Sequence, residues 1–329
     1  MKTLALFNSK GGVGRTSLAY HLGFMFAEQG HRVLLADLDP QANLTSLCAT
    51  EDRLEAIWKL NPRPTIYGAI DRLRRGVGDL ERLAPEAVTT RIVLVPGDPQ
   101  LSEFEDELSQ QWPRCLDSDQ RAFRVVTSLY RIVADVGERS GADIAVLDTG
   151  GGSGAINRAA LIAADYVVVP VAPDLFSVQG LEDVGPRLAT WRKQWGDRLG
   201  SAPELDFDLP SGNMAPLGYV VGRYSMPASG VVKAFQRWID RIPAVYRRSF
   251  GKPEVEDLDV ESDEFCLGQL REYRSLMPMA HEAKKPMFLL KPADGAIGGH
   301  QGAMRQAFKD FEQLAKTILE AMGGLTADG

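Results

Sequence analysis

Two kinds of apolar pattern alternate along the chain. Short unbroken runs, closed by glycine or a charged residue, read as strands buried on both faces. These are Thr3 to Phe7, Arg32 to Asp37, Asp143 to Asp148, Leu217 to Val221 and, last, Met287 to Leu290. Between them, apolar residues recur at helical spacing. Leu18, Leu22, Met25 and Phe26 predict a helix to about Gln29, stopped by Gly30. Ile66 to Arg74 predicts another, and Phe123, Val126, Tyr130 and Val133 a third. Met304, Ala307, Phe308, Phe311, Leu314, Ile318 and Met322 space a closing helix. Alternating strands and helices predict an α/β fold, a mostly parallel, doubly wound sheet with helices on both faces.

Length and charge narrow the classes. The 329 residues fit one large α/β domain or two smaller ones. The expectation is a single domain over 1–329, with a polar insertion around 49–90 and an acidic loop around 253–264. A net charge of −7 excludes a uniformly basic nucleic-acid coat but leaves room for a local basic face. Cys48, Cys115 and Cys266 lie far apart, without a CxxC pair, so a disulfide framework, zinc ribbon or iron–sulfur bridge loses its usual support. The cysteines read as small buried residues in a reducing compartment. No apolar stretch reaches the ~18 residues of a membrane span, and the N-terminus lacks a secretory pattern, so a cytoplasmic location is expected. His21, His31, His281 and His300 show no metal-ligand spacing, and His21 reads as a packing residue of the first helix.

The first strand runs into Asn8-Ser9-Lys10-Gly11-Gly12-Val13-Gly14-Arg15-Thr16-Ser17, and a helix follows. Strand, glycine loop, helix is the context of a phosphate-binding loop. Glycines let the backbone turn several N–H groups into one concavity, and the helix adds its unpaired N–H groups and positive dipole end. Thr16 supplies a hydroxyl for Mg²⁺, and Ser17 one for an α-phosphate. The usual loop reads G-x-x-x-x-G-K-[ST]. Here Ser9 takes the first glycine position and Arg15 the lysine.

Lys10 to Thr16 resembles the deviant Walker A motif of the ParA/MinD family of ATPases, KGGxGK[ST]. The resemblance implies ATP and Mg²⁺ as cofactors, with Gly11, Gly12, Val13, Gly14, Arg15, Thr16 and Ser17 around the phosphates. It implies that Lys10 reaches the partner's phosphates across an ATP-bound homodimer. Leu35 to Asn43 resembles the family's switch segment: Asp39 would orient the attacking water and Asp37 help organise the Mg²⁺ shell. Asp148 resembles the Walker B acid, holding Mg²⁺ through water. Tyr166 to Pro173 with Phe176 to Leu181 resembles the family's next strand and loop, and Val95-Pro96-Gly97 with Leu101, Glu105 and Leu108 another segment. Gly222 and Arg223, ending a strand, are further nucleotide-contact candidates. Arg15 departs from the family pattern. A guanidinium keeps the charge and alters the geometry, so tight binding with slow turnover is expected, and Arg15→Lys is expected to keep ATP binding.

One segment stands out in charge. Leu217 to Lys252 carries Arg223, Lys233, Arg237, Arg241, Arg247, Arg248 and Lys252 against Asp240 alone. Lys233, Arg237 and Arg241 are four residues apart and would line one helix face ending before Pro243, with Phe235, Trp238, Ile239 and Ile242 packed inward. Such a stripe can follow a phosphate backbone without reading bases. The predicted non-specific DNA contacts are Lys233, Arg237, Arg241, Arg247 and Arg248, with Lys284, Lys285 and Lys291 as an extension. The alternative is a solvated face balanced by the acidic run Pro253 to Glu264.

The leading expectation is a ParA-type switch that dimerises with ATP, binds DNA non-specifically and segregates DNA or positions a cargo. A ParB-like partner or cargo adaptor would stimulate hydrolysis, with no membrane involved. The alternatives are a nucleotide-binding scaffold with little hydrolysis, and a MinD-like membrane-positioned switch, which needs a basic amphipathic C-terminal helix.

Overall fold

In the computed structural model, residues 1–224, 233–273 and 275–323 are described, apart from the side chains at 223, 224, 233 and 234. The strands are β1 (Lys2–Leu6), β2 (Val33–Asp37), β3 (Glu86–Ala87), β4 (Ile92–Val95), β5 (Ile144–Asp148), β6 (Tyr166–Val171), β7 (Ala215–Tyr224) and β8 (Cys266–Arg271). They form one sheet in the order β3-β4-β2-β5-β1-β6-β7-β8. Every pairing is parallel except the β3–β4 edge.

The helices are α1 (Arg15–Glu28), α2 (Asn43–Cys48), α3 (Glu51–Lys59), α4 (Ile66–Arg74), α5 (Glu105–Arg114), α6 (Gln120–Val126), α7 (Ser128–Ser140), α8 (Ala155–Ile162), α9 (Leu175–Leu199), α10 (Lys233–Ile239), α11 (Ile242–Ser249), α12 (Leu276–Ala283) and α13 (Gly299–Ala321). Side chains of α4 to α9 and α11 build the core on one face of the sheet. Those of α1, α12 and α13 build it on the other. Covered on both sides, the central strands carry unbroken apolar runs, such as Val33 to Ala36 and Ile144 to Leu147, rather than alternating. β1 lies between β5 and β6, where the winding direction reverses, and the carboxyl ends of strands around such a point frame a ligand crevice.

Several expectations are corrected. Met287–Leu289 is a 3₁₀ turn packed against α13, and the last strand is Cys266–Arg271. A short buried apolar run cannot be assigned to strand or turn by periodicity alone. The helix before β5 is two helices, α6 and α7, broken at Thr127. The loop expected after β6 is in fact the first turns of α9, capped by Asp174, which accepts from Ser177 N. The segment 49–90 holds α3, α4 and β3. The basic helix stops at Ile239, and Arg241 lies in the turn before α11.

Candidate nucleotide site

The glycine loop is held from below by Asn8, which is fully buried. Its side chain donates to Pro170 O at 2.8 Å and accepts from Lys10 N at 2.9 Å. Helix α9 closes in at Gly180, where a Cβ would lie 2.8 Å from Asn8 Oδ1. Gly12 and Gly14 have φ of 79° and 90°, a region that L side chains rarely occupy, so the turn into α1 depends on them. Helix α1 begins with no side-chain cap and no acid in its first turn. Its leading N–H groups therefore face the crevice, as an anion site requires.

Asp37 and Asp148 end adjacent strands with their Cα atoms in register, and both are fully buried. Asp37 accepts from Thr45 N at 2.8 Å and Thr45 Oγ1 at 2.6 Å. Burial pushes its carboxyl up to about 6, with the Thr45 bonds pulling the other way. Neither oxygen of Asp148 has a hydrogen-bond partner of good geometry among the described residues. Burial, then the Asp37 charge, raises it well above the usual carboxylate range, while the Thr16 hydroxyl and the Arg15 charge oppose the rise. An orphaned buried carboxylate beside a threonine hydroxyl suits a hard divalent cation such as Mg²⁺.

Asp39 lies past the end of β2. Its Oδ1 accepts from Gln41 N at 2.9 Å, and Ala42, with φ of 51°, turns the chain into α2. Asp39, Thr16, Ser17, Gly11 and Gly151 line a polar cavity of about 870 Å³, which also takes in Glu105 and His281. Glu105 accepts from Ala155 N and Ile156 N, capping α8 at the cavity wall. Arg15 reaches the cavity too, but its guanidinium is turned under the loop and bonded to backbone carbonyls. Lys10 is exposed outside this cavity, its Nζ 5.6 Å from the centre of the Phe176 ring, and Phe176 is 63% exposed.

On the other side of Gly14 and Ser17 lies a more apolar cavity of about 430 Å³. Pro170, Gly222, Leu270, Tyr273 and Met277 are among its walls. Gly222 is thus brought to the site, while the side chain of Arg223 lies outside the described residues. Met277 and His281, one helical turn apart on α12, put one helix against both cavities. Leu270, Tyr273, Met277, His281 and Glu105 are the site residues that carry no assigned role in the sequence reading. The signal available was weak: Phe265, Cys266, Leu267 and Leu270 are apolar, but Gly268 and Gln269 interrupt them.

The basic segment divides. Arg247 is buried and its Nη2 bonds Asp263 at 2.8 Å and Glu264 at 3.2 Å, so it is not free to meet DNA. Its contact with Asp263, fully buried, satisfies an acid that Tyr219 also holds at 2.8 Å. Arg248 is exposed, 3.7 Å from Glu254. Arg237 and Arg241 are exposed and lie 4.9 and 5.0 Å from the centre of the Trp238 ring. The side chain of Lys233 lies outside the described residues. Lys284 donates to Ser46 O and Lys285 pairs with Asp294, so neither extends the patch.

A glycine loop leading into an uncapped helix, with a buried acid at the neighbouring strand end, defines a P-loop nucleotide-binding protein. A family model described as "AAA domain" matches residues 1–200. The chromosome partitioning protein ParA of Caulobacter vibrioides is 30% identical over 199 residues, 60% of this chain and 66% of that protein. Protein DIP2308 of Corynebacterium diphtheriae aligns at TM-score 0.72 and 24% identity, covering 98% of this chain and 99% of that one. An ATP complex of Cyanothece McdA aligns at TM-score 0.61 and 19% identity, covering 99% and 98%. The chain belongs to the ParA/MinD family of P-loop ATPases, on its ParA side. It spans less than half the length of the first curated relatives it matches, between 42% and 47%. Among the described residues no helix is long and apolar enough to cross a membrane.

Proposed function

We propose that this protein is an ATP-dependent switch of the ParA type, one ATPase unit over 1–329. ATP lies across the glycine loop, phosphates in the polar cavity and base in the apolar one. The observation that carries the reading is the meeting of the two cavities at Gly14 and Ser17, with Asp39 on the phosphate side. Thr16 and Asp148 would hold Mg²⁺, which when bound neutralises charge on the phosphate oxygens. Asp37 supports that pair from beneath, tied to Thr45. Asp39, fixed by the turn at Gln41, orients the attacking water. Hydrolysis of this kind is mainly positioning and charge stabilisation.

Lys10 is the cation that this cavity leaves outside, and it completes the site of a second copy in an ATP-bound homodimer. Arg237, Arg241 and Arg248 carry non-specific DNA binding in that state, with Lys233 alongside. A partner protein, ParB-like or a cargo adaptor, stimulates hydrolysis and releases DNA, so that a DNA molecule or other cargo is moved. Helix α13 spends its apolar face on the sheet through Phe311, Leu314 and Ile318, so that face is not offered to a membrane.

The test compares size by light scattering and retention of random duplex DNA with ATPγS, ADP and no nucleotide. A dimer that retains DNA only with ATPγS, and that Lys10→Ala loses, is the expected result. A monomer in every state, or retention indifferent to nucleotide, contradicts the reading.

A further inference from the structure

Arg15 occupies the place where phosphate loops carry lysine, and the structure gives its guanidinium more than a charge to supply. Nε donates to Thr149 O at 3.0 Å. Nη1 donates to Asn8 O at 2.7 Å and Lys10 O at 2.8 Å. Two of those carbonyls belong to the glycine loop and the third to the segment leaving β5. The side chain is buried, and burial lowers its pKa, opposed by the charges of Asp148 and Asp39.

Nη2 is left without a hydrogen-bond partner among the described residues. A Cβ built on Gly151 would lie 3.1 Å from it, and one on the neighbouring Gly150 would lie 3.3 Å from Asp39 Oδ1. Nη2 therefore looks into the side of the cavity where Asp39 stands.

We propose that Arg15 is a two-ended positioning residue. Its Nε and Nη1 lock the glycine loop to the Thr149–Gly154 segment, and its Nη2 alone is offered to the terminal phosphate oxygens. The proposal rests on the nucleotide reading above and deepens it. A guanidinium carries five donors in a rigid plane, so one side chain can serve three carbonyls and still present a charged edge. A lysine ammonium is a single point with three donors and cannot span both segments and a phosphate at once. The substitution that restores the family's own residue is therefore disruptive here, the reverse of what charge alone predicts.

Two variants separate the two ends. Arg15→Lys removes the lock and keeps the charge. Gly151→Ala keeps the lock and crowds Nη2. Mg²⁺-ATP and Mg²⁺-ADP affinities are measured by calorimetry, and amide hydrogen exchange over residues 8–14 and 149–154 is followed without nucleotide. Arg15→Lys should raise exchange in both segments together and weaken both ATP and ADP, by roughly tenfold as expected for charge-assisted hydrogen bonds lost. Gly151→Ala should leave exchange unchanged and weaken ATP more than ADP. Wild-type exchange in Arg15→Lys overturns the lock, and equal effects on ATP and ADP in Gly151→Ala overturn the phosphate-facing role of Nη2. Failure of the wild-type protein to bind ATP removes the nucleotide reading and with it the Nη2 half, while the exchange comparison still decides the lock.

Discussion

Asp37 and Asp148 lie side by side at the ends of adjacent parallel strands, in register and without exposure to solvent. Two carboxylates so placed oppose each other's ionisation, and burial adds to the effect. One oxygen of Asp37 takes both Thr45 bonds and the other faces Asp39 N at 3.4 Å, whereas neither oxygen of Asp148 has a partner of good geometry among the described residues. Ionising Asp148 is therefore costly until a cation stands beside it.

Asp148→Asn tests this. A carboxyl whose folded-state pKa is raised binds its proton more readily folded than unfolded, so stability is lost as pH rises through that pKa. For Asp148, burial and then the Asp37 charge set that direction. The variant should unfold less readily than wild type at neutral pH, and the advantage should fade as pH falls toward the ordinary carboxylate range. Mg²⁺-ATP should raise the Tm of wild type and fail to raise that of Asp148→Asn. A less stable variant without nucleotide would show that Asp148 is already satisfied.

His21 should govern part of the acid limb of stability. Met287 N–H donates to its Nε2 at 3.2 Å, so Nδ1 carries the proton and donates to Ser17 O at 2.7 Å. The ring is stacked on Phe311 and fully neutral in this arrangement, and burial pushes its pKa down to about 4. A depressed histidine contributes stability above its unfolded pKa that is lost as pH falls toward the folded one. About 3 kcal/mol should disappear between roughly pH 6.5 and 4. Urea unfolding across that range should show His21→Gln with a shallower decline than wild type. Parallel declines would mean that other groups carry it.

What could be read from the chain and what could not divides along the range of the interactions. Lys10 to Ser17, Asp39 and Asp148 were legible because each sits at a strand end whose apolar run precedes it directly. The first helix was legible because Leu18, Leu22, Met25 and Phe26 recur at helical spacing, although the helix is buried on every side from Leu18 to Phe26. The apolar cavity was hidden. Part of its wall comes from β8, α12 and Met287, where Cys266–Arg271 follows an acidic run and Met287–Leu289 imitates a strand. Arg247 was misread for the same reason: Asp263, which neutralises it, stands 16 residues on within what reads as a solvated loop.

That correction makes the basic residues separable. Arg247→Ala leaves Asp263 buried with only Tyr219 and backbone donors, and should lower stability by about 3 kcal/mol. Arg237→Glu with Arg241→Glu changes exposed side chains on Trp238 and should keep the wild-type Tm within a few degrees. The double variant, not Arg247→Ala, should lose retention of random duplex DNA at matched folded concentration, and the wild-type binding should weaken steeply with salt. DNA retention unaffected by the double variant would move the interface elsewhere.

The central claim is that the glycine loop holds ATP with Mg²⁺. Gly14 caps α1 at φ of 90°, where a branched side chain is strained. Calorimetric titration of Mg²⁺-ATP into wild type and Gly14→Val, each checked for native circular dichroism, tests it most directly. Saturable binding at about one ATP per chain in wild type, weakened by roughly tenfold or more in a folded Gly14→Val, is the predicted result. Equal binding by both proteins, or no heat from wild type, would contradict the account.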